Sequence, residues 1–510
     1  MGTTPDSSSS PRDRSPAARP LWRRVLAAPE AGLVLVILLL GAALTAFGGT
    51  RPSKDTWDIT LPISATARVQ SGEIVVRSDD PALVATIAAR LPEREGGNLR
   101  IEQGGQTRAF DAGQRPRLVE AEGAPAVLKV RVPVNKFLNI ENLTLVANSA
   151  SYIAIMAVGM TMIIAMGGID LSVGMIWALA AYIGAFVLKY PWNQGLPPLG
   201  LGGSSAAFWL AAVLGVGGLC AGLAGRARSL GHTPIARVSL PMLAVGGLGS
   251  LAALAGVVLA LRTVAFENPT LDPLPMPWYV SIPLGVGVCA AVGAICGLVN
   301  GSLTVGLRVH PFIITLGMMA VLEGAIFVLS RGQSLAGVPD SYGSHFFKNE
   351  IAGVTPVPVF VMVGIASLGV LLLTRSVLGR RTLAIGDNEK AATYAGIPVG
   401  RVKITVFTLM GALAGLSAAV NLGYWQGASP GSGQGYELQV IAATVIGGAS
   451  LAGGRGSALG AVLGALLIQL ITNGMIILDI DQSYNKIVMG TAIVVAVVVD
   501  QAKRQLQPKK

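Results

Sequence analysis

The sequence is poor in charge. Asp, Glu, Lys and Arg make up only 13% of 510 residues, about half of what a soluble chain carries. It has three cysteines and three histidines. Cys220, Cys289 and Cys296 all lie in apolar runs. Cys289 and Cys296 are seven apart, two helical turns or about 10 Å along an axis, too far for a disulfide. His232, His310 and His345 do not pair at metal-ligand spacing, so metal chemistry is not expected. No G-x-x-x-x-G-K-[ST] pattern occurs, so the chain is not expected to hydrolyse ATP. H-E-x-x-H is absent, and no catalytic residue is assigned.

What is abundant is apolar: 52% hydrophobic residues with 65 glycines, in long uncharged runs that read as membrane helices. Such runs fall at 31–47 and near 145–167, 171–188, 206–224, 239–261, 279–305, 311–330, 357–374, 404–423, 437–449, 457–477 and 484–500. These twelve runs place both termini on one side. With the N-terminus inside, cytoplasmic segments hold 20 Lys/Arg and short external loops five, which obeys the positive-inside rule. The remaining 13 lie in residues 49–141, a stretch large enough to cross regardless of charge. The net charge of +11 therefore follows topology, and no nucleic-acid partner is expected.

The expected fold is an all-α polytopic membrane protein of about 10–12 transmembrane helices, broken at Gly-Gly hinges, with a small α/β periplasmic insert. Residues 1–24 read as a Ser/Pro/Arg-rich disordered cytoplasmic tail, and 25–48 as an uncleaved first anchor or, alternatively, a signal peptide. Residues 49–136 have soluble-protein charge density and short β-like runs, with DPALVATIAARL reading as a helix capped by Asp80. They read as an insert, the alternative being a disordered loop. The transmembrane domain spans 137–502, including a cytoplasmic loop at 375–404, and 503–510 is a cytoplasmic tail.

Asp170 stands inside the apolar stretch IAIMAVGMTMIIAMGGIDLSVGMIWALAAYIGAFV (153–187), just after Gly167 and Gly168. A carboxylate at bilayer depth costs at least ~2.5–3.5 kcal/mol. It must cap a broken helix or contact what passes through; both readings stand. GGIDLSVGMIWALAAYIGA (167–185) aligns without gaps to GGASLAGGRGSALGAVLGA (447–465), offset 280, so Gly447 and Gly448 read as a second hinge. Glu323, also in an apolar run, could pair with a basic group, face water or be protonated. Asn300, Asn421 and Trp425 complete the candidates for a substrate pathway.

AVGMTMIIAMGGIDLSVG resembles the signature of permease subunits of bacterial ABC-type monosaccharide importers, the ribose/xylose/galactose group. FLNIENL, GLVNG (297–301), HPFIITLG (310–317) and VIGGASLAGGRG (445–456) match that family in order. The stretch GRRTLAIGDN with Ala391, Ala392, Gly396 and Ile397 is similar to its coupling loop, with Lys390 where an older form of the motif has Glu. The resemblance covers about 137–190 and 279–500. It implies an inner-membrane, multi-pass permease that moves a monosaccharide by alternating access and is not itself an enzyme. It also implies a permease homodimer or pseudo-dimer among lipid, a cytoplasmic ABC ATPase partner and a periplasmic sugar-binding protein. No cofactor is expected, ATP being used by the partner. Gly386, Asn388, Ala391, Ala392, Gly396 and Ile397 would contact the ATPase. The insert, two extra spans within 195–278, and Glu323 where arginine is common depart from the family pattern. An ion-coupled secondary transporter and an intramembrane enzyme are the alternatives.

Overall fold

The computed structural model describes residues 30–62, 65–70, 73–112, 116–119, 126–189, 276–351 and 353–506. The tail 1–24 and the runs at 206–224 and 239–261 lie outside them. The chain begins with α1 (Ala31–Phe47) and then builds a small sheet domain. Its strands are β1 (Thr50–Thr60), β2 (Thr66–Gln70), β3 (Glu73–Arg77), β4 (Leu99–Gln103), β5 (Gln106–Phe110), β6 (Arg117–Val119) and β7 (Val127–Asn135), with α2 (Pro81–Ala88) between β3 and β4. Asp80 caps α2 by accepting from the Ala82 amide, and Pro81 occupies the first turn, where its missing N–H costs nothing. β3 and β4 pair in parallel across α2, within a sheet ordered β2-β3-β4-β5. A second sheet is ordered β1-β7-β6. Alternate residues of the strands point inward, so Ile74, Val76, Leu99, Ile101, Phe110, Leu128 and Val130 form one core with Ile87 of α2. Each fully buried aliphatic or Phe side chain contributes about 1.5–3 kcal/mol.

β1 and β7 run antiparallel from Thr50↔Asn135, so the chain enters and leaves this domain at one point. That point is tied to the helices. Asn135 donates from its amide to the Thr45 carbonyl (2.8 Å) and accepts from the Phe137 and Leu138 amides (2.9 and 2.7 Å). Arg51 pairs with Glu141 (2.8 Å), and Lys136 donates to the Ile477 carbonyl (3.3 Å).

The helical part comprises α3 (Ile140–Ala165), α4 (Val173–Lys189), α5 (Trp278–Leu307), α6 (Pro311–Ser330), α7 (Val357–Arg375), α8 (Val377–Asp387), α9 (Glu389–Tyr394), α10 (Val399–Trp425), α11 (Tyr436–Ile446), α12 (Ala458–Ile477) and α13 (Asn485–Leu506), with a two-residue ladder of β8 (Leu335–Ala336) and β9 (Gly427–Ala428). Among the described residues six of these helices (α3, α5, α6, α7, α10 and α12) are long and apolar enough to cross a membrane, and three shorter apolar helices (α1, α4 and α11) accompany them. α3 is buried along most of its length, with α7, α10, α11 and α12 packed around it.

α5 and α10 pack antiparallel and nearly backbone to backbone. A methyl group at Gly293 would run into the Gly411 carbonyl, one at Gly411 into the Gly293 carbonyl, and one at Gly415 into the Cys289 carbonyl. Gly297 likewise lies on the Phe407 carbonyl. In lipid no hydrophobic force drives helices together, so this close packing of small residues holds the seam.

Two helices differ in length from their apolar runs. The run at 437–449 is the eleven-residue α11, about 16 Å long and half the membrane core. Residues 427–435 lead into it from β9 in a non-helical path, and α11 packs beside α12. α13 continues to Leu506, past the expected end of the transmembrane domain at 502.

The start of α3 is locked to the end of α12 by a reciprocal amide pair. Asn142 Nδ2 donates to Asn473 Oδ1 (3.1 Å) and Asn473 Nδ2 to Asn142 Oδ1 (2.8 Å), both residues being buried. Asn142→Leu or Asn473→Leu alone strands an amide and should cost about 1–3 kcal/mol; the double variant should recover much of that loss. Unfolding of the detergent-purified chain through a double-mutant cycle measures this. Additive losses would show that the pair is not coupled.

Candidate functional site

Two helix breaks and the α8–α9 segment meet at the end of the molecule opposite the sheet domain. The first break ends α3. The Gly167 amide donates to the Ile164 carbonyl (2.8 Å) and the Gly168 amide to the Ile163 carbonyl (2.9 Å), with Gly167 at φ +84°. This Schellman closure requires the left-handed conformation that glycine adopts without strain. Asp170 then re-forms the chain: its Oδ1 accepts from the Ser172 amide (2.9 Å) and hydroxyl (2.6 Å), and Ser172 leads into α4. Asn300 of α5 donates to the Ser172 hydroxyl (2.8 Å). Asp170, Ser172 and Asn300 are all fully buried. Thr315 of α6 satisfies the Ile169 carbonyl (3.2 Å). The arrangement holds a helix interruption rigidly, and Asp170 acts in it as a local cap.

The second break ends α11 in the same motif. The Gly448 amide donates to the Val445 carbonyl (2.9 Å) and the Ala449 amide to the Thr444 carbonyl (3.1 Å), with Gly448 at φ +95°. Here the second glycine is left-handed, whereas in the first break it is the first. The two closures therefore correspond at an offset of 281, one more than the letter-by-letter alignment. Either glycine of a pair can take the left-handed turn, so the alignment of identical letters could not choose. The chain then loops through Gly453 and Gly454 before Ser457 caps α12.

α8 touches both breaks. A methyl group at Gly386 would collide with the Ala165 carbonyl at the end of α3 and would lie 2.6 Å from the Gly454 amide nitrogen. The Gly454 amide itself donates to that Ala165 carbonyl (2.8 Å). α9 follows at once. Asn388 caps it by accepting from the Ala391 amide (3.0 Å), and Glu389 pairs with Lys403 of α10 (2.8 Å). Gly396 and Ile397 close it in another Schellman turn, onto the Thr393 and Ala392 carbonyls. Ala392 is only 4% exposed and packs inside the protein, so it does not belong to an outward docking face. Ala391, Tyr394, Ala395 and Gly396 are exposed, Tyr394 to 90%.

The pathway candidates separate into distinct places. Asp170 and Asn300 meet through Ser172. Glu323 accepts from Gln434 (2.7 Å), in the non-helical approach to α11. Asn421 is buried on α10, and Trp425 ends that helix near β8–β9, 58% exposed and edge-on to Tyr424. Ser172 was missed by sequence reasoning, although the Asp-x-Ser spacing after a Gly-Gly pair was its signal. Gly453 and Gly454 were legible only as part of a glycine-rich run.

The fold and these breaks define a multi-pass helical membrane protein with two helix breaks at one end of its bundle. The chain belongs to the family described as branched-chain amino acid transport system / permease component, which matches residues 229–497. It is 39% identical over 204 residues to the ribose import permease protein RbsC of Bacillus subtilis, covering 40% of this chain and 63% of that one. It is 37% identical over 254 residues to the D-allose transport system permease protein AlsC of Escherichia coli, covering 50% of this chain and 74% of that one. It is 32% identical over 275 residues to the L-arabinose ABC transporter permease protein AraH of Azospirillum brasilense, covering 52% and 79%. No solved structure matches the chain.

The capping geometry makes a prediction about Asp170. Asp170→Asn keeps an acceptor for Ser172 and should retain expression and thermal stability near those of the wild type. Asp170→Leu removes it and should lose ~1 kcal/mol or more. Equal losses in the two variants, measured as unfolding midpoints in detergent, would show that the charge and not the cap is what matters.

Proposed function

We propose that this chain is the membrane-spanning permease subunit of an ABC importer that carries a monosaccharide into the cell by alternating access. The names of its relatives, permeases for ribose, allose and arabinose, support the substrate class. In this reading a cytoplasmic ATPase hydrolyses ATP, a periplasmic protein delivers the sugar, and two permease chains form the path. The chain itself needs no cofactor. The excess of Lys/Arg in the segments on the α8–α9 side supports cytoplasmic termini and a periplasmic sheet domain.

The observation that carries the reading is the seating of α8 against both helix breaks. A partner that pushes on the exposed side of α9 moves α8, and α8 cannot move without displacing the ends of α3 and the loop after α11. Asp170, Ser172 and Asn300 hold the first break as a unit, so the displacement passes to α4 and α5 rather than being absorbed locally.

The test replaces the outward residues of α9. Ala391→Trp and Tyr394→Asp should insert and fold normally, because both positions are exposed. They should abolish co-purification of the ATPase and lower uptake at least tenfold at matched membrane levels. Uptake by the wild type should persist with a proton uncoupler while ATP is maintained. Normal co-purification and uptake in both variants would remove α9 as the contact, and collapse of wild-type uptake with the uncoupler would favour an ion-coupled transporter.

A further inference from the structure

Along α3 and α4 lies a second group of polar and aromatic side chains that the breaks do not use. Tyr152 stands at the centre of α3, twelve residues after its start and thirteen before its end. Trp177 is twelve residues from the end of α4, about 18 Å along that helix. Both are almost fully buried, at 3% and 2% exposure. The Tyr152 hydroxyl and the Trp177 indole nitrogen have no hydrogen-bond partner among the described residues. Tyr and Trp normally find a partner when buried, so each of these two orphans calls for a reason; Asn148 Oδ1, Asp170 Oδ2 and Asn300 Oδ1 are other buried atoms without one.

The two orphans lie on helices that both pack against α11. The Trp177 ring lies 4.9 Å from that of Tyr436, the first residue of α11. The Tyr152 ring lies 6.4 Å from that of Tyr424, near the end of α10. Tyr436 follows the non-helical stretch that enters from β9, and that stretch is polar. Gln434 is exposed and donates to Glu323 of α6. Glu437 is half-buried, its carboxylate accepting from the Gly435 amide (3.2 Å) beside Gly174 of α4. Irregular backbone and partly exposed carboxylates are tolerated at membrane depth only beside protein or a watered passage.

We propose that Tyr152, Trp177 and Tyr436, with Gln434 and Glu437, form a transient binding station for the monosaccharide at the middle of the permease. The proposal rests on the importer reading and locates the sugar within it. A sugar offers hydroxyl oxygens as acceptors, hydroxyl protons as donors and C–H faces that stack on rings. The Tyr152 hydroxyl and Trp177 N–H supply the donors, Glu437 and Gln434 the acceptors, and the Tyr436 ring the stacking surface. The two buried donors are left unpaired until the sugar arrives, so they favour an occupied passage without holding the cargo tightly.

The experiment uses cells carrying the full chain with its cognate ATPase and binding protein, and radiolabelled D-ribose, D-allose, L-arabinose and D-fructose as probes. Tyr152→Phe removes only the donor, and Trp177→Phe removes the donor together with part of the ring. Each should lower uptake of the best-transported sugar at least tenfold at unchanged membrane level. The unfolding midpoint of purified Tyr152→Phe should stay the same or rise, because an unpaired buried polar group has been deleted, whereas Trp177→Phe also leaves a cavity that lowers its midpoint. Unchanged uptake in both variants overturns the station. So does a loss of uptake that tracks a lower midpoint in both, which would assign the two groups to packing. Failure of the importer reading looks different: the wild type takes up none of the four sugars, and the station falls with it.

Discussion

The structure depends on helices whose backbones touch without side chains between them. In α5 and α10 the glycines interlock so that each occupies the space where its partner's methyl group would be. The same contact recurs between α11 and α12, where Gly447 lies on Gly460 and Gly464 on the Ala443 carbonyl, and between α8 and the break loops at Gly386. Dispersion at this range is individually small and collectively large, and it is the main attraction left to helices in lipid. It also makes the assembly stiff. A helix seated on another's carbonyls has no layer of side chains to deform, so motion of one element is passed to the next.

Against that stiffness the chain places its irregularities sparingly. Both helix breaks are closed by Schellman hydrogen bonds, so the carbonyls freed by the interruption are satisfied locally. The first is reinforced by Asp170, Ser172 and Asn300, a buried network whose members come from α5 and the link between α3 and α4. The polar stretch before α11 is the less tightly sealed place, with Gln434 exposed and Glu323 and Glu437 only half-buried. Rigid breaks near one end and a polar seam before α11 are the ingredients of a bundle that rocks about fixed points around a passage.

Much of this was legible from residues alone. The apolar runs gave most of the helices, because a membrane span is a statement about length and hydropathy. Gly167 and Gly168 marked a break, and Asn388 marked the start of α9. The sheet domain was readable where strands alternate, as in EIVVR, and not in β5, where QTRAF exposes three polar residues in succession. α8 was taken as part of a loop, although Thr382 and Ile385 lie buried along it at helical spacing. The inward turn of Ala392 could not be read, because a six-residue helix is too short to show a periodic face. Nor could the meeting of Trp177 with Tyr436, which are far apart in the chain and joined only by how α4 and α11 pack.

The central claim is that α8 transmits its partner's motion because its backbone is seated on both breaks. Gly386→Ala tests it most directly. The added methyl group has no space beside the Ala165 carbonyl, so α8 must lift away, while the exposed side of α9 is untouched. Gly364→Ala on α7, where nothing lies within 4 Å, serves as the control. The account predicts that Gly386→Ala still co-purifies with the ATPase yet loses at least nine-tenths of ATP-dependent uptake (roughly the tenfold of ~1.4 kcal/mol). Uptake equal to that of Gly364→Ala and the wild type would contradict it.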